Sequence, residues 1–110
     1  TYPRSITVSN EKLGEEFAKA MGGKPSCLMR GHGITTAGPA VEEATLTAIK
    51  LNDAAEINYR AALLGTPRPI PPEDIDILVG KARPQTRSVH TASNWRYYCK
   101  LLDEEPIQAS

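Results

Sequence analysis

Leu28-Met29-Arg30-Gly31-His32-Gly33-Ile34-Thr35-Thr36-Ala37-Gly38 sets one histidine between two glycines and between two short runs of β-forming residues. Glycine on each side removes Cβ crowding and permits positive φ, so the backbone can turn sharply and let another group come close. The imidazole is then carried at the mouth of a strand instead of being packed in its middle. A neutral imidazole so presented is a common metal ligand and a good acid–base group. One histidine is one ligand, and an ion such as zinc needs three or four. The two β runs, Ser26 to Arg30 and Gly33 to Ala37, either pair with each other or form one bent strand, and both arrangements stay open.

Upstream of this stretch, Thr1 to Val8 holds alternating β-formers after Pro3 and reads as an edge strand or an extended lead-in. Ser9-Asn10 offers an N-cap, with Glu11 in the first turn of a helix. Leu13, Phe17, Ala20 and Met21 recur at helical spacing, so one face of that helix is expected to be buried. Gly22-Gly23 ends it.

Downstream, Gly38-Pro39 opens the longest element, a helix from about Ala40 to Leu64 with Glu42 and Glu43 at the positive end of its dipole. Gly65 and Pro67 stop it. Val41, Ala44, Ala48, Leu51, Ala55, Tyr59 and Ala62 form its expected buried stripe, widened by Ile49 and Ile57. The proline-punctuated run Thr66 to Pro72 is extended. Pro72-Glu73-Asp74 then starts a helix whose buried side is Ile75, Leu78, Val79 and Ala82. Arg83 to Thr91, with the second histidine, His90, reads as a polar loop. Ser93 caps a last helix through Leu102, on which Trp95, Tyr98, Cys99 and Leu102 share a face. Residues 104–110 read as a tail.

Composition sets the outer bounds. The 110 residues, 40% apolar and 24% charged, fit at most one ordinary soluble domain. Thirteen basic and thirteen acidic residues give formal neutrality, so no electrostatic footprint for nucleic acid or an anionic membrane is present. Apolar runs are far too short to span a membrane, and the opening residues show no signal-peptide pattern. Cys27 and Cys99 lie far apart in no metal or redox spacing, which reads as two free, largely buried thiols in a reducing cytoplasm.

Leu13-Gly14, the run from Leu28 to Ile34, Gly38, Val41-Glu42-Glu43-Ala44 and the helix ending Leu64-Gly65 together resemble the class II aldolase/adducin family, specifically its C-terminal half. Gly-His-Gly followed by Gly-x-x-x-Glu-Glu-Ala is the most specific part of the likeness. The wording Arg-Gly-His-Gly-Ile-Thr-Thr is similar to the branch of dihydroxyphthalate-type decarboxylases. Beyond Gly65 the likeness is looser, though a C-terminal helix with Trp95, Tyr97 and Tyr98 is in keeping with it.

The resemblance implies an α/β fold, an α/β/α layered domain around a mainly antiparallel sheet, of which residues 1–103 make about half. It implies a homotetramer with active sites at subunit boundaries. It also implies a divalent metal, with zinc expected first and manganese, cobalt or iron as alternatives, held by three histidines beside an acidic acid–base residue. His32 stands at the last of those histidines; the upstream His-x-His pair and the acidic residue have no counterpart in these 110 residues. The expected partners are therefore a small-molecule substrate, the remaining half of the domain and further copies of the chain.

In such a family Tyr97 or Tyr98 is a candidate to move a proton at carbon. Arg30 is a candidate to pair with a substrate carboxylate, and Trp95 to wall a planar substrate. Each has a plainer competitor. Trp95 and Tyr98 fit core packing on one helix face, Tyr97 points off that face and is the freer phenol, and Arg30 fits a surface ion pair. Three functions follow: a metal-dependent carbon–carbon lyase that decarboxylates a hydroxylated aromatic acid, a sugar-phosphate aldolase or epimerase, and a non-catalytic assembly module like the adducin head.

Overall fold

A computed structural model of the chain describes residues 1–81 and 84–104, apart from the side chains of 81–88 and 104. The described residues form, in order, α1 (Glu11–Met21), β1 (Ser26–Met29), β2 (Gly33–Thr36), α2 (Val41–Leu64), α3 (Pro72–Lys81) and α4 (Pro84–Glu104). They fall into two compact units, Thr1–Ala54 and Ala55–Ser110.

In the first unit, α1 starts where the sequence places it. Asn10 is extended at φ −148°, and its side-chain oxygen accepts from the Leu13 amide at 3.0 Å. This satisfies one of the amides that the first helical turn leaves without a partner. Gly22 ends the helix at φ 58°, its amide donating to the Ala18 carbonyl.

The two β runs pair with each other. β1 and β2 are antiparallel, with Ser26 opposite Thr36, Cys27 opposite Thr35, Leu28 opposite Ile34 and Met29 opposite Gly33. Alternation gives the hairpin two faces. One carries Cys27, only 4% exposed, and the Thr35 hydroxyl, which donates to the Met29 sulfur at 2.9 Å. The other carries Leu28 and Ile34, exposed at 52% and 41%.

The lead-in makes no strand. Tyr2 alone bridges β1 in parallel: its amide donates to the Leu28 carbonyl at 2.8 Å, and the Arg30 amide donates to its carbonyl at 3.1 Å. Two such bonds contribute about 1 kcal/mol each, whereas ordering one residue's backbone costs about 1–2 kcal/mol. The bonds thus roughly offset that cost, and the Tyr2 ring supplies the net gain. It is 1% exposed and meets Phe17 of α1 edge-on at 5.1 Å, and burying a side chain near this size contributes about 1.5–3 kcal/mol. Arg4 adds an exposed ion pair to Glu16 at 2.9 Å.

Among the described residues the buried apolar ones are Tyr2, Leu13, Cys27 and Leu46, all in the first unit. Leu46 corrects the expected α2 stripe, which passed over it. Ala44, Ala48 and Leu51 are partly buried, but Val41, Ala55, Ile57, Tyr59 and Ala62 are exposed. Helical periodicity identifies a face, and burial requires a second layer to lie on it. For Ile57 and Tyr59 no such layer is found among the described residues.

The second unit departs further from expectation. α3 begins at Pro72 as read, with Glu73 and Asp74 in its first turn. Its expected buried side is exposed, at 44% for Ile75, 62% for Leu78 and 60% for Val79, while Ala82 lies outside the described residues. The expected loop from Arg83 to Thr91 is also corrected. From Pro84 onward this stretch belongs to α4, so His90 is an exposed helical residue; Arg83 lies outside the described residues. Ser93 consequently caps nothing and instead donates within the helix to the Val89 carbonyl at 3.3 Å. Cys99 is partly buried, not fully, and both cysteines are free thiols. The expected tail from 104 is helical at Glu104, and residues 105–110 lie outside the described residues. No helix among the described residues is long and apolar enough to cross a membrane.

Candidate active site

The β1–β2 turn is three residues long, Arg30-Gly31-His32, between the paired Met29 and Gly33. The His32 amide closes it by donating to the Met29 carbonyl at 3.1 Å. Gly31 takes φ 71° at the third position of this four-residue turn, where a positive φ calls for glycine. Gly33 takes φ 117°, a conformation side chains rarely adopt, so both fencing glycines are used for the freedom the sequence suggested. Gly31 also faces the lead-in, since a Cβ there would meet Ser5 Oγ at 3.3 Å.

Arg30 and His32 are thus held two residues apart at a hairpin tip, both exposed. Neither side chain has a hydrogen-bond or ion-pair partner among the described residues. The guanidinium is available to a carboxylate, which it can take through two parallel N–H groups. The imidazole is available as a nitrogen donor.

The aromatic candidates stand on α4, in the second unit. Tyr97 and Tyr98 meet edge-on with ring centroids 5.2 Å apart. Tyr97 is 58% exposed, as its position off the helix face predicts, while Trp95 and Tyr98 are partly buried.

Gly38, which the sequence marks as the opening of the long helix and the head of the Gly-x-x-x-Glu-Glu-Ala motif, also permits a close approach. A Cβ there would come within 2.9 Å of Glu43 Cβ and 3.1 Å of the Ala44 nitrogen. The spacing Gly-x-x-x-Glu-Glu-Ala therefore has a steric reason: the chain leaving β2 runs tightly against the first turn of α2. Glu43 Oε2 is buried there and has no partner among the described residues. Tyr2 and Ser5 were missed as neighbours of the turn, because nothing in a lead-in sequence says which strand it will lie beside.

No group of three or more His, Cys, Asp or Glu side chains that could hold a metal ion is found among the described residues. These residues do not make a metal centre by themselves. His32 offers one donor, and the rest of a tetrahedral set would have to come from other chain.

Comparison with known proteins supplies the class. The sequence matches the Class II Aldolase and Adducin N-terminal domain family over residues 2–59, more than half the chain. The chain belongs to this family, whose enzymes are generally dependent on a divalent metal.

Among particular relatives, it is 40% identical over 78 residues to the 3,4-dihydroxyphthalate decarboxylase of Terrabacter sp. (strain DBF63), covering 70% of this chain and 33% of the relative. It is 41% identical over 64 residues to the enzyme of the same name from Arthrobacter keyseri, covering 58% of this chain and 26% of the relative. The corresponding protein of Rhodococcus jostii (strain RHA1) is 33% identical over 64 residues, with the same coverage. The matched chain therefore spans a third or less of these relatives. No solved structure matches it.

Proposed function

We propose that the protein this chain belongs to is a carbon–carbon lyase that decarboxylates a hydroxylated aromatic acid of the dihydroxyphthalate kind. The observation that carries the reading is the relationship to the decarboxylase of Terrabacter sp., 40% identical over 70% of the chain. The exposed Arg30–His32 tip, unpartnered among the described residues, fits a substrate that brings carboxylate groups.

In this reading His32 gives one imidazole to a divalent ion, zinc first, whose other donors lie outside these 110 residues. Such an ion, when bound, supplies a Lewis acid for negative charge developing on oxygen. Arg30 holds a carboxylate that is not lost, fixing the ring's orientation through a bidentate pair. Trp95 offers a flat apolar wall. As the carboxyl-to-ring bond breaks, its electron pair stays on the ring carbon and carbon dioxide leaves. A phenol of α4, Tyr97 or Tyr98, then delivers a proton to that carbon and regains one from water. The surrounding fold is the complete α/β/α layered domain, assembled as a cytoplasmic homotetramer.

The test is incubation of the full-length protein with a panel of hydroxybenzene dicarboxylates, following carbon dioxide release. The reading expects turnover of a substrate with adjacent hydroxyl and carboxyl groups. It is abandoned if those substrates are inert while a sugar phosphate is cleaved.

A further inference from the structure

The turn that carries Arg30 and His32 is not held by its own hairpin alone. Arg30, its first residue, has its amide tied to the Tyr2 carbonyl at 3.1 Å. Two residues back along β1, Leu28 accepts from the Tyr2 amide at 2.8 Å. Gly31, the middle residue, faces Ser5, whose Oγ would stand 3.3 Å from a Cβ placed there. The lead-in thus touches the strand before the turn, the start of the turn and its centre.

What anchors the lead-in is the Tyr2 ring, 1% exposed and edge-on to Phe17 at 5.1 Å. The phenol oxygen is buried and has no hydrogen-bond partner among the described residues. The ring, not the hydroxyl, is therefore the anchoring part.

We propose that Tyr2 is a positioning residue for the candidate site: its ring pins the lead-in against α1, and the lead-in in turn fixes the turn that aims Arg30 and His32. This rests on the reading of that turn as the substrate-facing tip. It makes the hairpin tip a three-sided device, with β1, β2 and the lead-in converging on one exposed pair of side chains. A tip tied only across β1 and β2 would be free to rock, whereas a bond to the Arg30 amide from a third segment removes that freedom where the guanidinium is attached. Ser5 closes the remaining side by lying against Gly31.

The test uses the full-length protein carrying Tyr2→Ala, Tyr2→Phe or Phe17→Leu, and reads two independent quantities at a temperature where every variant is folded. The first is amide hydrogen exchange at Arg30 and at Leu13, the latter reporting on α1. The second is the kcat and KM for 3,4-dihydroxyphthalate. Tyr2→Ala is expected to speed Arg30 exchange at least tenfold while Leu13 changes less than twofold. It is also expected to raise KM severalfold, an effect that mere loss of folded protein would not produce. Tyr2→Phe should restore both quantities to wild-type values, and Phe17→Leu should fall between the two.

Unchanged Arg30 exchange in Tyr2→Ala overturns the brace. So does equal damage from Tyr2→Phe, which would shift the role to the hydroxyl. A wild-type protein inert towards the substrate, with Arg30 exchange still dependent on Tyr2, supports the brace and overturns only the decarboxylase reading.

Discussion

Gly31 and Gly38 are small for different reasons, and substitution separates them. Gly31 sits at φ 71°, where an L side chain strains the backbone by about 1–2 kcal/mol whatever space it has. Gly31→Ala should therefore lower the urea midpoint by the equivalent of that cost. The exposed Arg30 and His32 beside it are predicted to lose their fixed aim. Gly38 is excluded by crowding: its Cβ would stand 2.9 Å from that of Glu43. Gly38→Ala is predicted to cost about 1–3 kcal/mol through displacement of the first turn of α2. Thermal melts of the two variants check both values, and a neutral Gly38→Ala would contradict the close approach. His32 itself bears no structural bond from its side chain among the described residues, so His32→Ala should leave the stability of the metal-free protein within about 0.5 kcal/mol while abolishing turnover.

Among the elements, those legible in the sequence are the ones whose causes are local. The Asn10 cap of α1 is a contact between residues three apart, and it stands as the sequence suggests, with the Leu13 amide 3.0 Å from the side-chain oxygen. Asn10→Ala should cost about 1 kcal/mol, measured by chemical denaturation. The turn between β1 and β2 was legible as a turn, because glycine on both sides of His32 allows little else. Its pairing was not, since a hairpin and a bent strand share the same local pattern.

The start of α4 was missed because Gln85, Thr86, Arg87 and Ser88 carry no apolar period to read. Pro84 was the available signal, since proline is favoured at the first position of a helix. The stripes on α2 and α3 are faces as read, but only Ala44, Ala48, Ile49 and Leu51 of α2 are partly buried, and the later part of that stripe and the α3 face are exposed. Ile75, Leu78 and Val79 recur as a helix face should, but what covers a face is decided by distant chain.

For the molecule as a whole, the amount of uncovered apolar surface is the main physical fact. Leu28 and Ile34 on the hairpin, Ile57 and Leu63 on α2, and Leu78 and Val79 on α3 are all more than 40% exposed. Surface of this kind favours association, because removing it from water contributes roughly 25 cal/mol per Å². The 110-residue chain prepared alone is predicted to sediment as concentration-dependent oligomers and to bind a hydrophobic dye. A clean monomer that ignores the dye would contradict the exposed faces. The same scale explains why only part of a candidate site can be read from this sequence. The glycines single out His32 and Arg30 as candidates, but a metal centre needs several donors converging in space. The relatives are about three to four times as long as the stretches that match, so such donors have ample chain to come from.

Metal content tests the central claim most directly. Full-length protein, purified without added metal and then equilibrated with zinc and desalted, should retain about one ion per chain by elemental analysis. The His32→Ala variant, equally folded, should retain at least tenfold less. Equal retention by the two proteins, or none by either, would contradict the role given to the imidazole at the hairpin tip.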